Sequence, residues 1–247
     1  MLSPSEKIHS EYYANHSVKF TGTIVFINGS GTDISEWKQN KKFFNCVKKA
    51  GPLFLYDRPG LGNSPANLQI SAKQPITAKY VGDQLSLLLN QSDITPPYIL
   101  VAHSYGAIYA GYYTLMNPNN VKALILIDPV PRDFNFSAKK VAKYVKGIKE
   151  AKSTSSKHIY QKYSGSQAEV IYQMLGFSDS KNAIKKLGMI NNNIPVIIIS
   201  STAMELKKPI NKDWYNNQKQ WLNKNSHSKI YRVTSGHFIQ LDQPDFV

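Results

Sequence analysis

Short runs of Val, Ile and Leu that do not alternate with polar residues constrain this chain more than any other feature. They fall at Thr23–Ile27, Tyr98–Ala102, Ala123–Ile127 and Val196–Ile199, with Leu53–Tyr56 as a fifth. A strand with one wet face would alternate, whereas a continuous apolar strand needs cover on both faces, as in a parallel sheet. Segments of helical length lie between the runs, at Ser35–Ala50, Ile76–Asn90 and Tyr105–Met116. Strand and helix in alternation imply right-handed βαβ units. The expected fold is α/β, an open, mostly parallel, doubly wound sheet.

From Pro131 to Asn193 the alternation stops and the pattern becomes helical. Ser137–Glu150 spaces Ala138, Val141, Ala142, Val145 and Ile148 as one apolar helix face, with Lys139, Lys140, Lys143, Lys146 and Lys149 at the other positions. A strand at Val196, a helix over Asp213–Lys224 and a last strand at Lys229–Val233 follow. The division is thus a core of residues 1–130 and 194–247 interrupted by a helical insertion at 131–193. The formal charge of the chain is +14, and the insertion carries twelve basic residues against four acidic ones, a net of +8. Two readings of that helix stand: a solvated face, or an amphipathic lid that meets an anionic surface. Nucleic acid is a poorer partner, because the basic residues are mostly Lys with no interleaved aromatic motif.

Several classes are excluded. Glu6, Lys7 and His9 break any secretory apolar core near the N-terminus, and no run reaches 18 apolar residues. A soluble cytoplasmic protein without a transmembrane segment is expected. Cys46 is the only cysteine, and His9, His16, His103, His158 and His227 lack metal-ligand spacing, so exposed or packing roles are expected for them. Gly29-Ser30-Gly31 lacks the rest of either nucleotide-binding glycine motif. No cofactor and no metal is expected.

The segment that carries chemistry is Ala102-His103-Ser104-Tyr105-Gly106-Ala107, where a strand turns sharply into a helix. A serine at such an apex presents its hydroxyl above the sheet edge, and small residues two before and two after it let strand and helix backbones approach. The N–H of Tyr105, at the helix start, points where an oxyanion would form. Asn28-Gly29-Ser30-Gly31-Thr32, Tyr56-Asp57-Arg58-Pro59-Gly60-Leu61-Gly62-Asn63-Ser64 and Thr234-Ser235-Gly236-His237-Phe238 each follow a strand. All four therefore gather at the carboxyl edge, where open α/β sheets build their sites.

Together these segments resemble the α/β-hydrolase fold superfamily, over about Thr21 to Val247. Phe26-Ile27-Asn28-Gly29-Ser30-Gly31 is similar to its oxyanion loop, with Asn28 in place of the customary His. The Asp57 segment is similar to its D-x-x-G-x-G-x-S stretch, Ala102–Gly106 to its nucleophile elbow with Ala102 for Gly, and Ser235–Phe238 to its histidine loop. The resemblance implies Ser104 as nucleophile, His237 as general base, Ser30 and Tyr105 as oxyanion donors, and 131–193 as a helical cap. The third triad member departs from the family pattern. The usual position, after the Val196 strand, falls on Met204, with Glu205 next to it, while Asp128 at the end of the preceding strand is the alternative some members use. Asp128 is preferred and Glu205 stays open. The implied activity is a serine hydrolase of the carboxylesterase or lipase type, acting on a small ester through an acyl-enzyme on Ser104, with the basic insertion favouring an anionic acyl substrate. An amide or peptide hydrolase on the same residues, or a hydrolase-fold protein that binds a ligand or partner without turnover, are the alternatives.

Overall fold

The structure, a computed structural model, describes residues 7–15, 17, 20, 22–202 and 213–247. In chain order the strands are β1 (Ser10–Tyr13), β2 (Thr23–Ile27), β3 (Leu53–Tyr56), β4 (Tyr98–His103), β5 (Val121–Ile127), β6 (Val196–Ser201) and β7 (Lys229–Val233). They form one sheet in the order β1-β3-β2-β4-β5-β6-β7, parallel throughout except for β1, which runs antiparallel to β3. The expected open, doubly wound sheet is present. From β2 the chain winds outward first through β3 and then, in the other direction, through β4. The direction of winding thus reverses at β2 and β4, which pair with Ile27 opposite Ala102. Ligand sites of open sheets form outside such a reversal.

The helices are α1 (Ser35–Lys38), α2 (Lys41–Ala50), α3 (Ala78–Gln91), α4 (Gly106–Met116), α5 (Ala138–Ser153), α6 (Ser156–Lys162), α7 (Gly165–Leu175), α8 (Phe177–Leu187), α9 (Trp214–Gln218) and α10 (Ile239–Asp242). Two apolar clusters cover the two sheet faces. Val25, Ile27, Phe54, Leu100, Leu124 and Ile198 belong to one, with α3 and α4 against them. Ile24, Phe26, Leu53, Leu55, Val101 and Ile199 belong to the other, with Trp37, Phe43 and Phe44. Successive strand side chains point to opposite faces, so burial on both explains the unbroken apolar runs.

Four details differ from the sequence expectations. The single helix expected over Ser35–Ala50 breaks at Asn40, whose side chain accepts from the N–H groups of Lys42 and Phe43 (3.0 and 3.2 Å) and so starts a new helix. The helix expected over Asp213–Lys224 stops after Gln218 and tightens into a 3-10 turn at Lys219–Trp221. β1 was not expected, because Ser-Glu-Tyr-Tyr is short and half polar. The packing face of α5 is also different. Val141 and Val145 are 37% and 40% exposed, while Gly147 and Ala151 are buried and Tyr144 and Ile148 partly so. Gly147 decides this, since a Cβ there would overlap Ile171 of α7.

Candidate active site

The elbow is built by close approach. Ser104 follows the last residue of β4 with φ of 53°, in the left-handed region that costs a non-glycine residue roughly 1–2 kcal/mol. Its N–H donates to the carbonyl of Ile127 (3.0 Å), and its own carbonyl accepts from Val130 N–H (3.1 Å), which holds the strained turn against the end of β5. A Cβ on Gly106 would stand 2.6 Å from the Ile27 carbonyl oxygen and 2.7 Å from that of Asn28. Only glycine lets α4 start so near the end of β2.

His237 lies in the loop between β7 and α10, which is tied back by Gly236 N–H donating to Asp242 (2.9 Å). Its Nε2 is 2.9 Å from Ser104 Oγ and its Nδ1 is 2.6 Å from Asp128 Oδ2. Asp128, also at positive φ (40°), is fully buried at the end of β5. Its carboxylate further accepts from Ser201 N–H (3.2 Å) and Oγ–H (2.7 Å), Trp214 Nε1–H (2.9 Å) and Gln218 Nε2–H (2.9 Å). Burial alone would raise its pKa, but the hydrogen bond and charge of His237, with the Ser201 and Trp214 bonds, outweigh that and hold it below the usual carboxylate range. An ionised Asp128 can only accept, so the His237 proton sits on Nδ1 and leaves Nε2 basic, facing the Ser104 hydroxyl. The arrangement can remove a proton from that hydroxyl.

The loop after β2 presents three consecutive N–H groups. Gly29 N–H donates to Glu36 (3.0 Å) and Gly31 N–H to Glu169 of α7 (2.5 Å). Among the described residues, the Ser30 N–H between them meets no protein acceptor, and neither does Tyr105 N–H. A Cβ on Gly29 would lie 3.5 Å from the Cβ of Ser104, which puts loop and elbow side by side. Asn28, standing where the family pattern has His, donates to the Tyr56 carbonyl (3.1 Å) and accepts from Trp37 Nε1–H (2.7 Å).

Arg58, 2% exposed, donates to the carbonyls of Asn28 (2.9 Å) and Gly29 and pairs with Glu169 through Nε. Gln173 of α7 bonds Ser30 Oγ and donates to Tyr109 OH (2.7 Å). α7 therefore sits on the loop that carries Ser30. Asp57 accepts from Ile34 N–H (2.8 Å) and Asn63 N–H (3.0 Å) and pairs with His9 (2.8 Å), bracing the same edge.

The structure thus brings Ser104, His237, Asp128, Ser30 and Tyr105 together. Glu205 lies outside the described residues. Sequence reasoning missed Ser201, Trp214 and Gln218 around Asp128, and Glu36, Glu169 and Gln173 around the loop. None stands in a motif, because each acts by where its backbone lands. His103, for which an exposed or packing role was expected, is 1% exposed, with Nδ1 against a carboxylate oxygen of Glu36. Among the described residues no helix is long and apolar enough to cross a membrane, and no group of three or more His, Cys, Asp or Glu could hold a metal ion.

Residues 24–167 match the model of the alpha/beta hydrolase family. The chain is 30% identical over 241 residues to the uncharacterized protein YqjL of Bacillus subtilis, an overlap covering 96% of this chain and 85% of that one. Among solved structures, the haloalkane dehalogenase DatA of Agrobacterium tumefaciens superposes with a TM-score of 0.69 at 17% identity, covering 96% of this chain and 88% of that one. The enol-lactonase of Burkholderia xenovorans gives 0.60 at 14% identity, covering 95% and 90%.

Proposed function

The chain belongs to the alpha/beta hydrolase family, and on that premise we propose that it is a serine hydrolase that cleaves a small carboxylic ester through an acyl-enzyme on Ser104. One observation carries the reading: the His237 ring bridges Ser104 Oγ at 2.9 Å and buried Asp128 at 2.6 Å.

The steps follow from the geometry. Ser104 Oγ attacks the substrate carbonyl carbon while its proton passes to His237 Nε2. The carbonyl oxygen becomes an oxyanion within reach of the Ser30 and Tyr105 N–H groups, each such donor being worth about 3–4 kcal/mol. The tetrahedral centre collapses, and the leaving alkoxide takes the proton from Nε2. Water then gives a proton to Nε2, attacks the acyl carbon and releases the acid, and Oγ recovers the proton. Asp128 stays ionised throughout and stabilises the imidazolium.

The nucleophile itself separates this reading from dehalogenation. Attack of Ser104 on an sp3 carbon would leave an alkyl ether on Oγ, which a histidine-activated water does not cleave, so turnover demands an acyl centre. The 131–193 helices, of which α7 rests on the Ser30 loop through Glu169 and Gln173 and the others pack on α7, act as a cap. A fluorophosphonate probe tests the whole reading. Wild-type protein should be labelled and Ser104→Ala should not; unlabelled, folded wild type would leave a ligand-binding protein in place of an enzyme.

A further inference from the structure

Glu36 and His103 lie beneath the site, unused by any step above. Glu36, in α1, and His103, the last residue of β4, are 4% and 1% exposed. Oε1 of Glu36 pairs with His103 Nδ1 and accepts from Gln240 Nε2–H (3.1 Å). Oε2 accepts from Gly29 N–H (3.0 Å) and from Thr32 Oγ–H. The other ring nitrogen of His103, Nε2, is 3.0 Å from the backbone carbonyl of His237. One pair of side chains thus links the Gly29–Ser30 loop, the elbow of which His103 is part, the histidine loop and α10.

The protonation follows from what each partner can do. A backbone carbonyl only accepts, so Nε2 carries a proton. Three other donors already point at the Glu36 oxygens, an environment that favours the carboxylate, so Nδ1 carries a proton as well. Protonated on both nitrogens, the ring is an imidazolium. We propose that Glu36 and His103 form a buried ion pair whose role is positioning: His103 holds the His237 backbone, and Glu36 holds Gly29 so that the next N–H, that of Ser30, stays free for the oxyanion.

The surroundings agree. Burial, the largest influence, disfavours charge on both groups, but their mutual attraction outweighs it and moves Glu36 down and His103 up from their ordinary values. For Glu36 the bonds from Thr32 and Gly29 add to this, and for His103 the His237 carbonyl and the nearby Asp128. The His103 ring is packed by Trp37, His237 and Phe238, with centroids 6.5, 4.6 and 4.8 Å away. Removing one member of such a pair leaves the other charge buried and unpaired.

The catalytic meaning of this pair rests on the acyl-transfer reading, but its charge state does not, and the tests separate the two. Histidine-labelled wild-type protein, with His103→Gln to assign the signal, should show by NMR a ring protonated on both nitrogens at about pH 7, above the ordinary histidine value of about 6.5. A neutral His103 ring at about pH 7 overturns the proposal without any variant having to fold. With p-nitrophenyl acetate as probe, folded Glu36→Gln should lower kcat about 10- to 100-fold with little change in KM, as displaced catalytic groups do. Its alkaline loss of kcat should begin at lower pH, because His103 has lost its counter-ion. A pair serving stability alone would lower Tm and leave kcat and its pH profile unmoved, which also overturns the proposal. Wild type inactive on every ester would remove the acyl-transfer reading and leave the NMR result to decide the ion pair.

Discussion

Asp128 receives five hydrogen bonds, one of them from His237, and the consequences can be stated for a single atom. Asn at this position keeps the shape but offers an N–H₂ group where His237 Nδ1 needs an acceptor, so the ring would turn its basic nitrogen the wrong way. Asp128→Asn is expected to lower kcat on a p-nitrophenyl ester by about 10⁴-fold. Glu205→Gln should be nearly silent, and the opposite pattern would give the role to Glu205. The depressed pKa of Asp128 also sets a direction for stability. A carboxylate held below its unfolded value of about 3.9 contributes fully above that value and loses the contribution as pH falls through the folded one. The Tm advantage of wild type over Asp128→Asn should therefore shrink on acidification from pH 7 to about pH 3, and an unchanged gap would show that Asp128 is not a stabilising charge. Sequence alone could place Asp128 at a strand end but could not choose it over Glu205. The groups that hold Asp128 include Trp214 and Gln218, which arrive from α9, about ninety residues downstream. Ser104 and His237 were legible because each needs a particular backbone turn, and turns write themselves as local motifs.

At the scale of elements, the decisive contact is between α7 and the loops after β2 and β3. Glu169, fully buried, gives one oxygen to Arg58 and the other to Gly31 N–H. Arg58→Ala would strand that carboxylate without its cation, a change that costs about 3–5 kcal/mol where a buried pair is broken. Urea denaturation measures it, and a loss below about 1 kcal/mol would mean that the pair is not essential to the docking. The N-terminus of the same helix meets Gly60 so closely that a Cβ on Gly165 would overlap the Gly60 carbonyl oxygen. Gly165→Ala should therefore push α7 away from the loop and destabilise by about 1–3 kcal/mol, the usual cost of overpacking. Periodicity made the helical nature of 131–193 legible, and the parallel strands with it. The face that α5 turns inward was not legible, because its apolar residues form two overlapping stripes. Packing chose Tyr144, Gly147, Ile148 and Ala151, where Gly147 admits Ile171, over the stripe of Val141 and Val145.

For the whole molecule the outstanding quantity is charge, +14 in all and +8 of it within 131–193. Most of those lysines are exposed, on α5, α6 and α8, which pack around α7, the helix that meets the Ser30 loop. A field of that sign draws anions toward the insertion over distances comparable to the Debye length, about 8–10 Å at ordinary ionic strength, and is weakened by added salt. It acts on encounter more than on chemistry, so it belongs in kcat/KM and not in kcat. For two p-nitrophenyl esters of equal chain length, one ending in a carboxylate and one neutral, kcat/KM for the acidic ester should fall as salt rises from about 20 to 500 mM while that for the neutral ester stays nearly level. Charge reversal of Lys143 and Lys146, exposed residues of α5 outside the hydrogen-bonded site, should flatten the acidic ester's dependence and leave the neutral ester unchanged. Equal salt dependence of the two esters would reduce the charge to a matter of solubility, and the anionic preference would have to be dropped while the acyl-transfer chemistry at Ser104 stood.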